Sequence, residues 1–99
     1  MLHIVNKSHT QTSSLASCLR LAQPGSALLL TEDAVYAATV AAAASSGIAA
    51  AAARIKVFVL QPDVDARGVA GRLADGITAV DYGGFVDLVA EHSCNQSWL

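Results

Sequence analysis

The sequence predicts an α/β fold, a three-layer sandwich around a mostly parallel sheet of about four to five strands. Two observations carry that prediction. Four short apolar runs, Leu2–Val5, Ala27–Leu30, 55–60 and Ile77–Val80, lack the apolar–polar alternation of a sheet with one wet face. Near-continuous apolar runs of this kind suit strands covered on both faces. Between them lie segments of helical character, giving the order β-α-β-α-β-α-β-α, which right-handed crossovers build into a parallel sheet with helices packed on it.

Each helix has its own signals. Thr12 or Ser13 can cap the first, and Leu15, Cys18, Leu19 and Ala22 fall at i, i+3, i+4 and i+7 on one face of it. Pro24-Gly25 ends that helix and turns the chain into the second strand. Glu32 and Asp33 place negative charge at the start of the second helix, where the helix dipole favours it. Ser45-Ser46-Gly47 is a candidate break within it. Pro62-Asp63 opens a third helix, which Gly68 and Gly71 keep short. Asp81 is a cap for the last, from Gly84 to about His92. Residues 94–99 show no periodicity but end in Trp98-Leu99, an apolar pair costly to leave in water, so this tail is expected to dock on the body or on a partner. Residues 1–99 read as a single domain.

Composition narrows the function. Apolar residues make up 54% of the chain and charged residues 14%, so the surface is poor in charge and a partner is expected to cover part of it. The net charge of −2 and the lack of a Lys/Arg cluster exclude a basic nucleic-acid footprint, and no direct nucleic-acid binding is expected. Residues 34–53 carry no charge and are long enough to cross a bilayer, yet alanine dominates them and its transfer free energy is modest. They read as a buried or subunit-facing helix, with no membrane association. Two cysteines, Cys18 and Cys94, are too few for a disulfide scaffold, and the start of the sequence does not resemble a secretion signal. A reducing cytoplasm is therefore the expected location.

Ligands of open parallel sheets lie at the carboxyl ends of the strands, here residues 6–11, 31–33, 61–65 and 81–84. The turn Asn6-Lys7-Ser8-His9 has no glycine for a dinucleotide, and no phosphate-binding P-loop is present. Asn6 and Gln61 stand where a phospho-acceptor domain needs acids. Tyr82-Gly83-Gly84 could offer backbone N–H groups to an anion, but a capped helix whose glycines allow close packing is the simpler account. His3, His9 and His92 lack ligand spacing, so no metal or cofactor is expected; His9 stands out for lying in a crevice loop. Adjacent on a helix, Glu32 and Asp33 point in different directions and make no acid–base pair. Cys94, in the tail, reads as incidental. Cys18 is the candidate for covalent chemistry and has two readings. As a reactive thiol it lacks an acidifying neighbour: the helix dipole has largely faded by the second turn, and Arg20, two residues on, projects elsewhere. As a packed thiol it shares a stripe with Leu15, Leu19 and Ala22.

Several stretches together resemble the DsrH/TusB family. They are Met1-Leu2-His3-Ile4-Val5-Asn6-Lys7-Ser8, Leu28-Leu29-Leu30-Thr31-Glu32-Asp33-Ala34-Val35-Tyr36-Ala37-Ala38, Lys56-Val57-Phe58-Val59-Leu60, Asp65-Ala66-Arg67-Gly68, Val80-Asp81-Tyr82-Gly83-Gly84-Phe85-Val86-Asp87-Leu88 and Trp98-Leu99. The resemblance spans nearly the whole chain in order, and implies a DsrE-like fold. It also implies a subunit of a cytoplasmic sulfur-relay heterohexamer with DsrE/TusD-like and DsrF/TusC-like partners. The main sulfur-carrying cysteine belongs to the DsrE/TusD-like partner, and a DsrC/TusE-like protein is the next in the relay. One branch of the family serves sulfur oxidation and the other thiolation of the tRNA wobble uridine. DsrH proteins of sulfur oxidisers carry a cysteine in the first helix and TusB proteins often lack it, so Cys18 points to the DsrH branch. The resemblance makes Cys18 a candidate persulfide carrier, with His9 and Arg20 as candidate electrostatic helpers. The chain departs from the family pattern in residues 41–53, which are unusually rich in alanine, and at Ala34, where such proteins often have glycine.

Overall fold

A computed structural model describes residues 1–98. Five strands form one sheet in the order β4-β3-β2-β1-β5, and all four pairings are parallel. The strands are β1 (Leu2–Val5), β2 (Ala27–Leu30), β3 (Lys56–Leu60), β4 (Ile77–Val80) and β5 (Asn95–Trp98). Four of them coincide with the apolar runs to within a residue. The fifth comes from the tail expected to dock: Asn95-Gln96-Ser97-Trp98 pairs with Leu2-His3-Ile4-Val5 in register. Leu99, the other half of the apolar pair, lies outside the described residues.

One face of the sheet is densely packed. His3, Val5, Leu28, Leu30, Val57 and Val59 point to this side, and the helix α1 (Ser14–Leu21) lays Leu15 and Cys18 on it. Ser13 holds the N-cap position of α1 but makes no side-chain capping bond; the Thr12 hydroxyl, one residue earlier, accepts from the Ser14 N–H at 3.3 Å. The single helix expected after Glu32 and Asp33 is replaced by three short pieces. A 3-10 segment (Glu32–Ala38) buries Ala34, Val35, Ala37 and Ala38; it is followed by α2 (Ala43–Ser46) and α3 (Ile48–Ala52). Two physical causes break it. Thr39 bridges to Leu73 while the Val40 N–H bonds to the Arg72 carbonyl at 2.7 Å, which ties this turn to a distant loop. Gly47 adopts φ +88, a left-handed conformation that stops α2 and that a side chain resists. No helix among the described residues is long and apolar enough to cross a membrane.

The Glu32 and Asp33 pair does more than cap a helix. Asp33 accepts from Arg67 Nε at 2.9 Å, beyond the end of α4 (Gln61–Ala66), and the Glu32 N–H donates to Asp63 Oδ2 at 2.7 Å. These bonds clamp the carboxyl end of β2 to α4. Glu32 itself sits at φ +49, an uncommon conformation for a residue with a side chain.

Among the described residues, the other face has a single covering element, α5 (Tyr82–Glu91). It begins two residues earlier than expected, with Asp81 as cap: Oδ1 accepts from the Gly84 N–H at 2.8 Å. Gly84 is required at this approach, because a Cβ there would lie 2.8 Å from Val80 Cβ. Leu88 is buried against Leu2, Ala27 and Leu29, with Ile4, Phe58, Val80 and Phe85 partly buried around them. Five strands at about 4.8 Å spacing make a face roughly 19 Å across, while a helix is about 10 Å wide, so one helix cannot cover it.

Candidate functional site

Cys18 is the residue on which covalent chemistry would depend. The i, i+3, i+4, i+7 stripe of α1 turns it onto the sheet, and its side chain has no solvent exposure at all. Burial pushes the thiol up to about 11, and the nearby Arg54 guanidinium offsets this only in part. At neutral pH the sulfur is therefore held as the thiol, which is neither the nucleophile nor the leaving form in sulfur transfer. Cys94, the other free cysteine, is exposed.

Arg54 is the functional neighbour that sequence reasoning missed. It follows α3, and its guanidinium donates to the Ala22 carbonyl at 2.9 Å and to the Leu19 carbonyl. It thereby satisfies the carboxyl end of α1 and places a positive charge at the negative pole of that helix. Those partners lie 32 and 35 residues away in sequence, so no local pattern could have announced the contact.

The structure does not assemble Cys18, Arg20 and His9 into one constellation. Arg20 is exposed, and its guanidinium reaches back one turn to Ser17 Oγ at 3.4 Å. His9 lies in the loop joining β1 to α1, which Ser8 organises: the Ser8 carbonyl accepts from the Gln11 N–H at 3.0 Å, and Ser8 Oγ lies 2.9 Å from Thr10 Oγ1. His9 Nδ1 is shielded from solvent without a hydrogen-bond partner, and so is Asn6 Oδ1 at the head of the same loop. Both belong to residues lining open hollows at the carboxyl ends of the strands, where parallel sheets present their ligand sites. The first, about 350 Å³, runs from Asn6 past Glu32 and Asp63 to Tyr82 and Phe85 of α5; the second, about 430 Å³, lies between His9, Asp33 and Tyr36. These hollows place acidic and aromatic groups together, with no cysteine among their lining residues. Among the described residues, no three His, Cys, Asp or Glu side chains converge as metal ligands would.

His3, read as a strand histidine, faces inward from β1. Its Nδ1 accepts from the Trp98 indole N–H at 3.2 Å, and the two rings lie 6.1 Å apart, fastening β5 to its neighbour.

Parallel strands, one densely packed face and a single helix on the other define the class: a small α/β sandwich of the kind seen in the crystal structure of the YchN protein from Escherichia coli. That structure superimposes with a TM-score of 0.81 over 97% of each chain at 20% identity, a likeness of fold. Sequence comparison is more specific. The family described as DsrH like protein matches residues 7–95. Proteins named TusB from Klebsiella pneumoniae and from Escherichia coli O81 are 40% and 38% identical over 98 residues, covering 99% of this chain and all of theirs. The chain belongs to the DsrH/TusB family, the subunits of sulfur-relay complexes.

Proposed function

We propose that this chain is an assembly subunit of a cytoplasmic sulfur-relay heterohexamer, holding a cysteine-bearing DsrE/TusD-like partner and a DsrF/TusC-like partner in their working arrangement. A DsrC/TusE-like protein is the sulfur donor or acceptor. The observation that carries this reading is the state of Cys18: a thiol sealed in the core, with its ionisation opposed by burial, is suited to packing and not to exchange. The outer side of α5 supports it. Tyr82, Val86 and Val89 recur at i, i+4 and i+7 along the outer side of α5, exposed by 61%, 67% and 38%. An apolar stripe of that kind is what a partner subunit covers.

A second reading keeps Cys18 as a persulfide carrier, reached when partner subunits open the core, and its position in the first helix favours it. The position also favours the sulfur-oxidation branch, whereas the full-length TusB relatives favour tRNA thiolation.

Reconstitution separates the two readings. The complex is loaded with a persulfide donor, and each cysteine is then assigned by mass spectrometry. The assembly role predicts no mass gain of one sulfur atom on Cys18 and unchanged onward transfer by the Cys18→Ala complex. A persulfide on Cys18, together with lost transfer in that variant, would establish the second reading. Measuring thiouridine in tRNA from a strain lacking the subunit distinguishes the branches.

A further inference from the structure

At the opposite end of the sheet from the crevice, the amino ends of β2 and β3 and the last turn of α5 enclose a hollow of about 460 Å³. Its lining holds two cations, Arg54 and Lys56, and the His92 imidazole, against one acid, Glu91. That concentration stands out on a chain with a net charge of −2 and only six Lys and Arg residues. Arg54 is held at the wall of the hollow by its bonds to the carbonyls of Leu19 and Ala22, which engage both terminal nitrogens of its guanidinium and leave Lys56 as the cation free to meet a ligand. Lys56, the first residue of β3, has an exposed side chain. Neither Lys56 nor Glu91 forms an ion pair among the described residues, so the one acid present does not neutralise the lysine. Phe58 and Leu88 supply an apolar wall from the sparsely covered face.

Fixed and mobile cations gathered in a concave site raise the local concentration of anions. The volume exceeds what a bare inorganic ion needs and falls in the range of about 300–1,000 Å³ usual for small organic ligands. We infer that this hollow binds an organic oxyanion, with a phosphate or carboxylate head at Lys56 and His92 and an apolar body on Phe58 and Leu88. The inference does not rest on the sulfur-relay role.

Titration of the isotopically labelled full chain, followed by NMR, tests it with three probes: phenyl phosphate, N-acetyl-leucine and inorganic phosphate. The first two stand for a phosphomonoester and for the carboxylate end of a peptide. Saturable shifts are expected at the amides of Ser26, Lys56, Phe58 and His92. At least one organic probe binds more tightly than inorganic phosphate because it also buries apolar surface on the wall; which of the two wins identifies the source of the oxyanion. Lys56→Gln, with an unchanged fold in its spectrum, weakens that binding by about tenfold, the scale of one charge-assisted hydrogen bond; His92→Gln is a second, independent variant and also weakens it. The inference is overturned by non-saturating shifts, by shifts spread equally over Lys7, Arg20 and Arg72, by inorganic phosphate matching the organic probes, or by unchanged affinity in both variants.

Discussion

The two faces of this sheet have the same strands and opposite fates. On one, α1, the 3-10 segment, α2, α3 and α4 seal alternate strand residues completely; Leu28, Leu30 and Val59 have no solvent exposure. On the other, α5 alone buries the centre, Leu2, Ala27 and Leu29, as fully, but leaves the flanking Phe58 and Ile4 only partly buried. The difference follows from connectivity. Three successive crossovers step along the sheet in one direction, so right-handedness puts their helices on the same side. The fourth returns from β4 at one edge to β5 at the other and must cross the opposite side alone. The crowded face is therefore the chain's own core, and the sparse one is where association has apolar surface to gain.

That contrast yields graded outcomes. Leu28→Ala on the sealed face should cost about 3 kcal/mol of folding free energy in urea denaturation, because the surrounding side chains cannot close the cavity. A much smaller loss would mean that the sealed face is loosely packed.

An intermediate effect is expected at the seam between β1 and β5. Burial, and then the positive amino terminus, hold His3 below its ordinary value of 6.5. The folded chain thus binds fewer protons at this site than the unfolded chain, and stability rises with pH in that window. The contribution is complete above 6.5 and falls away as the pH drops from there toward the folded-state value. His3→Gln should flatten this part of the pH profile. Trp98→Phe, which removes the indole donor, should cost about 1 kcal/mol at pH 8. A profile unchanged in His3→Gln would show that the histidine does not govern it.

The smallest effect belongs to the outer side of α5, the helix that covers the sparse face. Val86→Ala should change the stability of the isolated chain by no more than about 0.5 kcal/mol. The same substitution should weaken co-purification with partner subunits. Equal losses in both measurements would place Val86 in the fold and not in an interface.

Much of this architecture could be read from residue types. Runs such as Leu28-Leu29-Leu30 are legible because both faces of β2 are buried and no polar residue interrupts them. The inward turn of Cys18 follows from its helical spacing, and the Asp81 cap from side-chain chemistry. What could not be read is what depends on distant partners. Asn95, Gln96 and Ser97 have no strand-forming character of their own and become a strand because β1 offers an unpaired edge. The alanine run after Val40 has high helix propensity, yet two bonds with a remote loop, Val40 N–H to the Arg72 carbonyl and Ala74 N–H to the Ala38 carbonyl, hold its flank in a turn. Within the candidate site, the projection of Arg20 away from Cys18 follows from its two-residue helical spacing, whereas the isolation of His9 appears only once loop and helix are folded, since the eight residues between His9 and Cys18 do not fix their orientation.

The seam at β5 also sets an order of events during synthesis. The strand that seals the outer side of β1 is the last of the five to be made, and β1 is the first. Until Trp98 has emerged, the earliest strand presents an open row of backbone donors and acceptors, and His3 waits without its indole partner. The nascent chain therefore carries this unpaired edge for most of its synthesis, and a ribosome that stops before residues 95–98 releases a sheet primed to pair with another chain.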